Sequence, residues 1–249
     1  MRLWLFVCLS LFVLSFSSAT GQLSSPSSFQ LQTQSAVVTG KSIHSINLSA
    51  NAEWFAGSRH ESGTATLQAS VDGSSSVQLN LGSASRTETR SVTDSDQTCQ
   101  LTDNSGTVHV VVGSNCSVPV PWFAASLFSQ PASQLPSSLL TTDDGQVSKN
   151  GSTFHQISYW PNLQSINITL TNRLIAGSRV KVLYDLQTFL PASLEYFIHP
   201  DSDDLQNLPV RVLFRNYRSV SGVMLPFHIE KYVNRTLQLQ LDVTNASAE

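Results

Sequence analysis

The sequence predicts a β-dominated α+β fold: one strongly curved antiparallel sheet, an incomplete barrel, covered by a short helical lid. Three observations carry that expectation. Val210–Val243 alternates with period two through three successive strands. Val210, Val212 and Phe214, then Val223, Leu225, Phe227 and Ile229, then Leu237, Leu239, Leu241 and Val243 share one face. Twelve or thirteen strands can be read along the chain, and no connection has the spacing of a βαβ unit. One aromatic stretch with prolines, Val118–Leu140, interrupts the strands with helical spacing.

Composition narrows the class further. A chain of 249 residues with 41% hydrophobic and only 12% charged residues favours a packed core over disorder. A formal net charge of −3 leaves no basic footprint for nucleic acid. Ser, Thr, Asn and Gln supply most of the polar surface, as in many exported β proteins.

In chain order, Met1–Gly21 reads as a signal peptide. Arg2 starts it, Leu3–Phe16 is apolar, and Ala19-Thr20-Gly21 offers small residues for cleavage before Gln22. Residues 22–249 then form a single domain. An uncleaved anchor is the alternative, and Cys8 lies too early to be a lipidated start. No later run reaches membrane length, so the mature chain is expected to be periplasmic or secreted and not transmembrane. In an oxidising compartment Cys99 and Cys116 make an even pair around the Asn104-Ser105-Gly106 turn. A disulfide is expected, worth about 3 kcal/mol through the unfolded chain; buried free thiols are the alternative.

Phe29–Thr39 is expected to be a helix stopped by Gly40. Ser42–Phe55 and Arg59–Val71 form a long hairpin, and Asp72-Gly73 turns the chain into Ser76–Leu81 and Arg86–Val92. Thr98–Leu101 and Thr107–Val112 complete six strands. Behind Pro119 and Pro121, Trp122–Phe128 fits up to two helical turns before Pro131, and Leu135, Leu139 and Leu140 suggest a second helical piece. This insertion is the natural cover for the sheet. Thr141–Asn150 reads as a polar loop around Asp143-Asp144-Gly145. Strands resume at Thr153–Trp160, Gln164–Thr171, Arg179–Leu186 and Leu190–Ile198, and the loop His199–Leu208 follows. Ser221-Gly222 and Asn234-Arg235 are placed for two-residue hairpin turns.

Signatures of catalysis are sparse. There is no G-x-S-x-G, H-E-x-x-H, phosphate loop or dinucleotide fingerprint. Ser178-Arg179-Val180-Lys181 matches S-x-x-K but opens a strand and lacks the companion motifs. The His199–Asp204 loop gathers carboxylates without the glycine and distal glutamate of a calcium loop, and reads as a solvated acidic turn. Arg211, Arg215 and Arg218 read as a charged outer row. No catalytic residue, metal site or cofactor is expected.

Several motifs then add a resemblance. Tyr184-Asp185…Thr188…Leu190-Pro191, His199-Pro200-Asp201, Phe214-Arg215-Asn216-Tyr217-Arg218 and Gly222-Val223…Pro226-Phe227 stand in the expected layout of strands. Over roughly residues 29–244 the chain resembles the LolA-like superfamily of periplasmic lipoprotein carriers, and in particular uncharacterised exported bacterial proteins. The resemblance implies an open barrel with a helical lid, and an arginine latching that lid when empty, for which Arg59 and Arg86 are candidates. The expected function is non-catalytic binding of an acyl chain or a lipoprotein lipid in the cell envelope. Trp122, Phe123, Leu127 and Phe128 of the lid would face Val223, Leu225, Phe227 and Ile229 of the sheet. The alternatives are an envelope interaction or sensor domain with a filled core, meeting a protein partner, and a hydrolase with a noncontiguous site.

Overall fold

Thirteen strands form one antiparallel sheet in the computed structural model, which describes residues 27–39, 42–83, 85–93, 97–111, 113–163, 168–200, 203 and 206–249. The first six are β1 Ser45–Ala56, β2 Arg59–Ser70, β3 Ser75–Leu81, β4 Ser85–Val92, β5 Gln97–Thr102 and β6 Val108–Val111. The remaining seven are β7 Leu139–Lys149, β8 Ser152–Pro161, β9 Val180–Asp185, β10 Pro191–Ile198, β11 Leu208–Val220, β12 Val223–Val233 and β13 Thr236–Ala248. Two α-helices join them, α1 Ser28–Val37 and α2 Ile168–Ser178. The expected signal peptide and Gly40 lie outside the described residues.

Sheet order explains the cover. It runs β6-β5-β4-β3-β2-β1-β13-β12-β11-β10-β9-β8-β7. The chain therefore builds outward from β1 to one edge, restarts at the opposite edge, and returns until β13 pairs with β1. The edges β6 and β7 are consecutive in sequence yet lie at opposite ends of an unclosed sheet. Residues 113–138 must cross from one edge to the other, and the part from 121 to 130 is buried throughout. We refer to residues 113–138 as the strap.

The strap departs from the expected helical lid. Its described helical pieces are short 3-10 turns, at Gly113–Asn115, Ala125–Phe128 and Ala132–Gln134. Leu127 N bonds Ala124 O at 2.9 Å and Ser129 N bonds Ser126 O at 3.2 Å, the i→i−3 pattern. Pro121 and Pro131 confine the run to less than the length at which an α-helix sustains itself. Leu139 and Leu140 begin β7 instead of continuing a helix.

Two further expectations change. The stretch read as a polar loop, Thr141–Asn150, lies mostly in β7. Asp143-Asp144-Gly145 is a bulge within it, where the register shifts and Asp143 Oδ1 accepts Gly145 N at 2.9 Å. The hairpin turn is Asn150-Gly151, with φ of +50° and +80°, so both residues adopt the conformation that this dipeptide tolerates best. Residues 168–171, expected in a strand, belong to α2. Ile168, Thr169 and Thr171 favour a strand locally, but packing of the helix against β8, β10 and the Gly113–Asn115 turn prevails.

The final three strands form as expected, with φ of +52° and +85° at Ser221-Gly222 and +47° and +67° at Asn234-Arg235. Inward rows run straight across the sheet: Leu67, Leu48 and Ala246 are register partners, as are Phe214, Ile229, Leu241 and Ala52. Helix α1 is closed by a capping box between Ser27 and Gln30 and buries Phe29, Thr33 and Val37, spaced four apart. Phe29 stacks on the His155 ring at 3.7 Å between centroids. The Cys99–Cys116 disulfide is formed, with its Cα atoms 5.5 Å apart. Among the described residues no helix is long and apolar enough to cross a membrane.

Candidate functional site

A cavity of about 460 Å³ lies between β3–β6 and the front of the strap. Its apolar wall includes Val77, Leu101, Val120, Trp122, Phe123 and Ile198. The strap reaches this position because it leaves β6 after Val111, is tied to β5 by Cys116–Cys99, and then turns across the sheet. Trp122 and Phe123 meet edge to face, with centroids 5.4 Å apart.

The other wall is charged. Register pairs Leu79 with Arg86, Val77 with Glu88 and Ser75 with Arg90, so β4 turns three charged side chains towards the inward face. Arg86 and Glu88 form an ion pair at 2.8 Å. Lys231 of β12 places its ammonium 4.6 Å from the centre of the Trp122 ring. Burial alone raises the Glu88 pKa, but Lys231 and Arg86 outweigh it and hold the carboxyl below its ordinary value. Burial pulls the Lys231 ammonium down, with Glu88 opposing.

Arg90 ties sheet to strap. Its guanidinium donates to Gly73 O at 2.9 Å, to Pro119 O at 3.2 Å and to Gln97 Oε1 at 3.1 Å. Arg90, and neither Arg59 nor Arg86, is thus the arginine that these hydrogen bonds connect to the cover. At the far end Asn115 closes the cavity through Nδ2 to His199 O at 2.7 Å and Oδ1 from His199 N at 2.8 Å. His199 is buried, unlike the solvated turn expected there; Asp201, Ser202 and Asp204 lie outside the described residues. Three polar atoms on the lining residues lack a hydrogen-bond partner among the described residues: Trp122 Nε1, His199 Nδ1 and Arg90 Nε.

Of the eight side chains expected at the site, Trp122 and Phe123 line this cavity. Leu127, Phe128, Val223, Leu225 and Ile229 are buried in the main hydrophobic core. Phe227 is half-buried and carries the Arg218 guanidinium 4.3 Å above its ring. Sequence reasoning missed Glu88, Arg90 and Lys231. Strand alternation separates two faces but does not say that the charged face of β4 turns inward. Among the described residues no group of three His, Cys, Asp or Glu is arranged to hold a metal.

Comparison with family models and with curated proteins finds no match. Solved structures do match. One described as an outer membrane lipoprotein-sorting protein domain from Vibrio parahaemolyticus aligns with a TM-score of 0.52 at 10% identity, over 89% of this chain and 91% of its own. A DUF1329 family protein from Desulfovibrio piger gives 0.51 at 11% identity, over 89% and 90%. A LolA superfamily protein from Nitrosomonas europaea gives 0.49 at 11% identity, over 88% and 92%. At such identities the likeness is one of fold, and this chain shares its fold with the lipoprotein-sorting domain and the DUF1329 protein.

Proposed function

We propose that this chain binds an apolar ligand, an acyl chain or the lipid of a lipoprotein, between the sheet and the strap, in the cell envelope and without catalysis. The observation that carries the reading is the 460 Å³ cavity with unpartnered polar atoms on its lining residues. That volume lies in the range of ligand pockets, and each methylene taken from water contributes about 0.8 kcal/mol. A buried donor left without a partner is costly, so an ester or amide carbonyl on the ligand suits Trp122 Nε1. The neighbouring sorting-domain structure supports the ligand class by analogy of fold.

On this reading Trp122 and Phe123 touch the ligand. Leu127, Phe128, Val223, Leu225, Phe227 and Ile229 line the path that a longer chain follows when the front of the strap lifts, and Arg90 releases Pro119 in that step. An exported location, periplasmic or secreted, fits the Cys99–Cys116 bond. The test is organic extraction of the native protein with lipid mass spectrometry, joined to titration with a fluorescent fatty acid. Copurifying lipid, and probe binding lost on Trp122→Ala, support the proposal. Absence of both lipid and probe binding overturns it.

A second reading has its own observation. At the open edge, β6 exposes Val108 and Val110, which are 53% and 68% accessible. An unpaired strand edge with apolar side chains accepts an added strand from an envelope protein. Retention of a specific partner that is lost on Val110→Lys, by a chain free of lipid, favours this interaction domain.

A further inference from the structure

On the opposite face of β9–β12 the sheet carries a second concavity. Lys181 is the register partner of Glu195, Glu195 of Arg211, and Arg211 of Tyr232, so these side chains form one row across four strands. Their sequence neighbours Val182, Leu194, Val210 and Val212 are buried in the core, which sets the row on the outer face. Lys149, Arg179 and Arg235 join the row around a groove of about 790 Å³. Five of the 14 Lys and Arg residues of the chain thus line one groove beside a single carboxylate, Glu195. Five positive charges less one leave four, on a chain whose net charge is −3.

Sheets ordinarily place opposite charges across from one another, and Glu195 is already engaged. Lys149 Nζ lies 2.9 Å from it and Arg211 Nε 3.9 Å, the latter too long for a hydrogen bond. Among the described residues no carboxylate lies within ion-pair distance of Arg179, Lys181 or Arg235. The Arg179 guanidinium is held over the Trp160 ring at 4.7 Å, and the Nε atoms of Arg179 and Arg211 are buried without a hydrogen-bond partner among the described residues. Fixed, incompletely satisfied guanidiniums in a concave wall focus a positive potential and match the oxygens of a phosphate. Phe197, Pro209 and Leu213 give the same groove an apolar side.

We infer that this groove is a second ligand site, taking a phosphate-bearing anion. A phosphate free in solution and one carried on a lipid headgroup present the same oxygens to Arg179, Lys181 and Arg211. The test is calorimetric titration with inorganic pyrophosphate, beside sedimentation with phosphatidylglycerol vesicles and with phosphatidylcholine vesicles. Parent protein is compared with Arg211→Gln and Lys181→Gln, each checked for an unchanged thermal midpoint. Pyrophosphate binding weakened tenfold or more by either folded variant supports a soluble ligand. Binding to phosphatidylglycerol alone, with the same dependence on the variants, supports a headgroup. Binding to neither probe overturns the inference, as does binding that both variants retain in full. Lys181→Gln alters a side chain with no ion-pair partner among the described residues, so the inference stays testable if Arg211→Gln fails to fold.

Discussion

The buried middle of the strap has two halves, 119–123 in front and 124–130 behind, and they are held in different ways. From 124 to 130 most side-chain polar groups are tied, although Ser126 Oγ is buried without a hydrogen-bond partner among the described residues. Gln130 receives Ile43 N at 2.8 Å and donates to Ile43 O at 2.7 Å and Leu127 O at 2.8 Å. Ser129 Oγ and Tyr184 OH lie 3.0 Å apart, Tyr184 OH and Tyr159 OH again 3.0 Å, and Tyr159 donates to Phe128 O at 3.2 Å. Burial pushes both phenols up in pKa, which keeps them protonated as donors. From 119 to 123 the ties are the Arg90 bond to Pro119 O, the bond from Ala124 N to Pro121 O at 2.9 Å and the Lys231 contact with Trp122, while Trp122 Nε1 has no partner among the described residues. Burial alone therefore does not separate permanent core from ligand wall. The two stretches differ in how many hydrogen bonds hold them, and each keeps one buried polar atom without a partner among the described residues, Ser126 Oγ behind and Trp122 Nε1 in front.

The largest expected effect strikes the floor beneath the rear half. Leu225 is fully buried in β12, the strand that meets the Ala125–Phe128 turn. Leu225→Asp places an unpaired charge there and is expected to cost about 4 kcal/mol or more. A thermal midpoint equal to the parent's would reverse the assignment of sheet faces. Next in size is the pair that divides the strap. Phe128→Ala should lose about 3–5 kcal/mol in denaturant titration, as buried aromatics do. Trp122→Ala borders a cavity that already lacks contacts, so it is expected to lose less, about 2–3 kcal/mol, while fatty-acid binding falls. Equal losses, with no probe binding by the parent, would make the whole strap a filled core.

Smaller is Gln130→Ala, which strands Ile43 N and O and should cost about 1–3 kcal/mol. Hydrogen exchange at Ile43 and Leu127 should rise with it, whereas Trp122→Ala should leave those amides protected. The smallest effect is expected at Glu88. Its folded pKa lies below the ordinary 4.5, so its contribution is present above about that pH and is lost as pH falls through the depressed value. Glu88→Gln should therefore lower the thermal midpoint at pH 7 and approach the parent as pH falls below the depressed value. A gap that persists unchanged in acid would show that Lys231 and Arg86 do not act through the carboxylate.

Much of the fold was legible from local pattern. Alternation in Val210–Val243 and the dipeptides Ser221-Gly222 and Asn234-Arg235 predict β11–β13 and their turns, because side-chain period and positive φ are properties of a few adjacent residues. Asn150-Gly151 carried the same signal for the β7–β8 turn, but Asp143-Asp144-Gly145 is equally turn-like and drew the loop too early. At the candidate site Trp122 and Phe123 stood out as the aromatic part of an interruption. The charges facing them did not.

By itself the sequence determined the β-dominated class, the six-strand opening meander, the closing three strands and the pairing of Cys99 with Cys116. Each depends on period, turn chemistry or an even cysteine count within short reach. Tertiary structure alone decided that β6 and β7 stand at opposite edges, so that the strap must cross the sheet. It also decided that residues 168–171 join a helix, that β4 turns Arg86, Glu88 and Arg90 inward, and that five cations converge outside. These depend on which distant strands become neighbours and in what register. A one-residue change of register exchanges the two faces of a strand without altering its alternation, so the pattern alone does not say which polar row meets water.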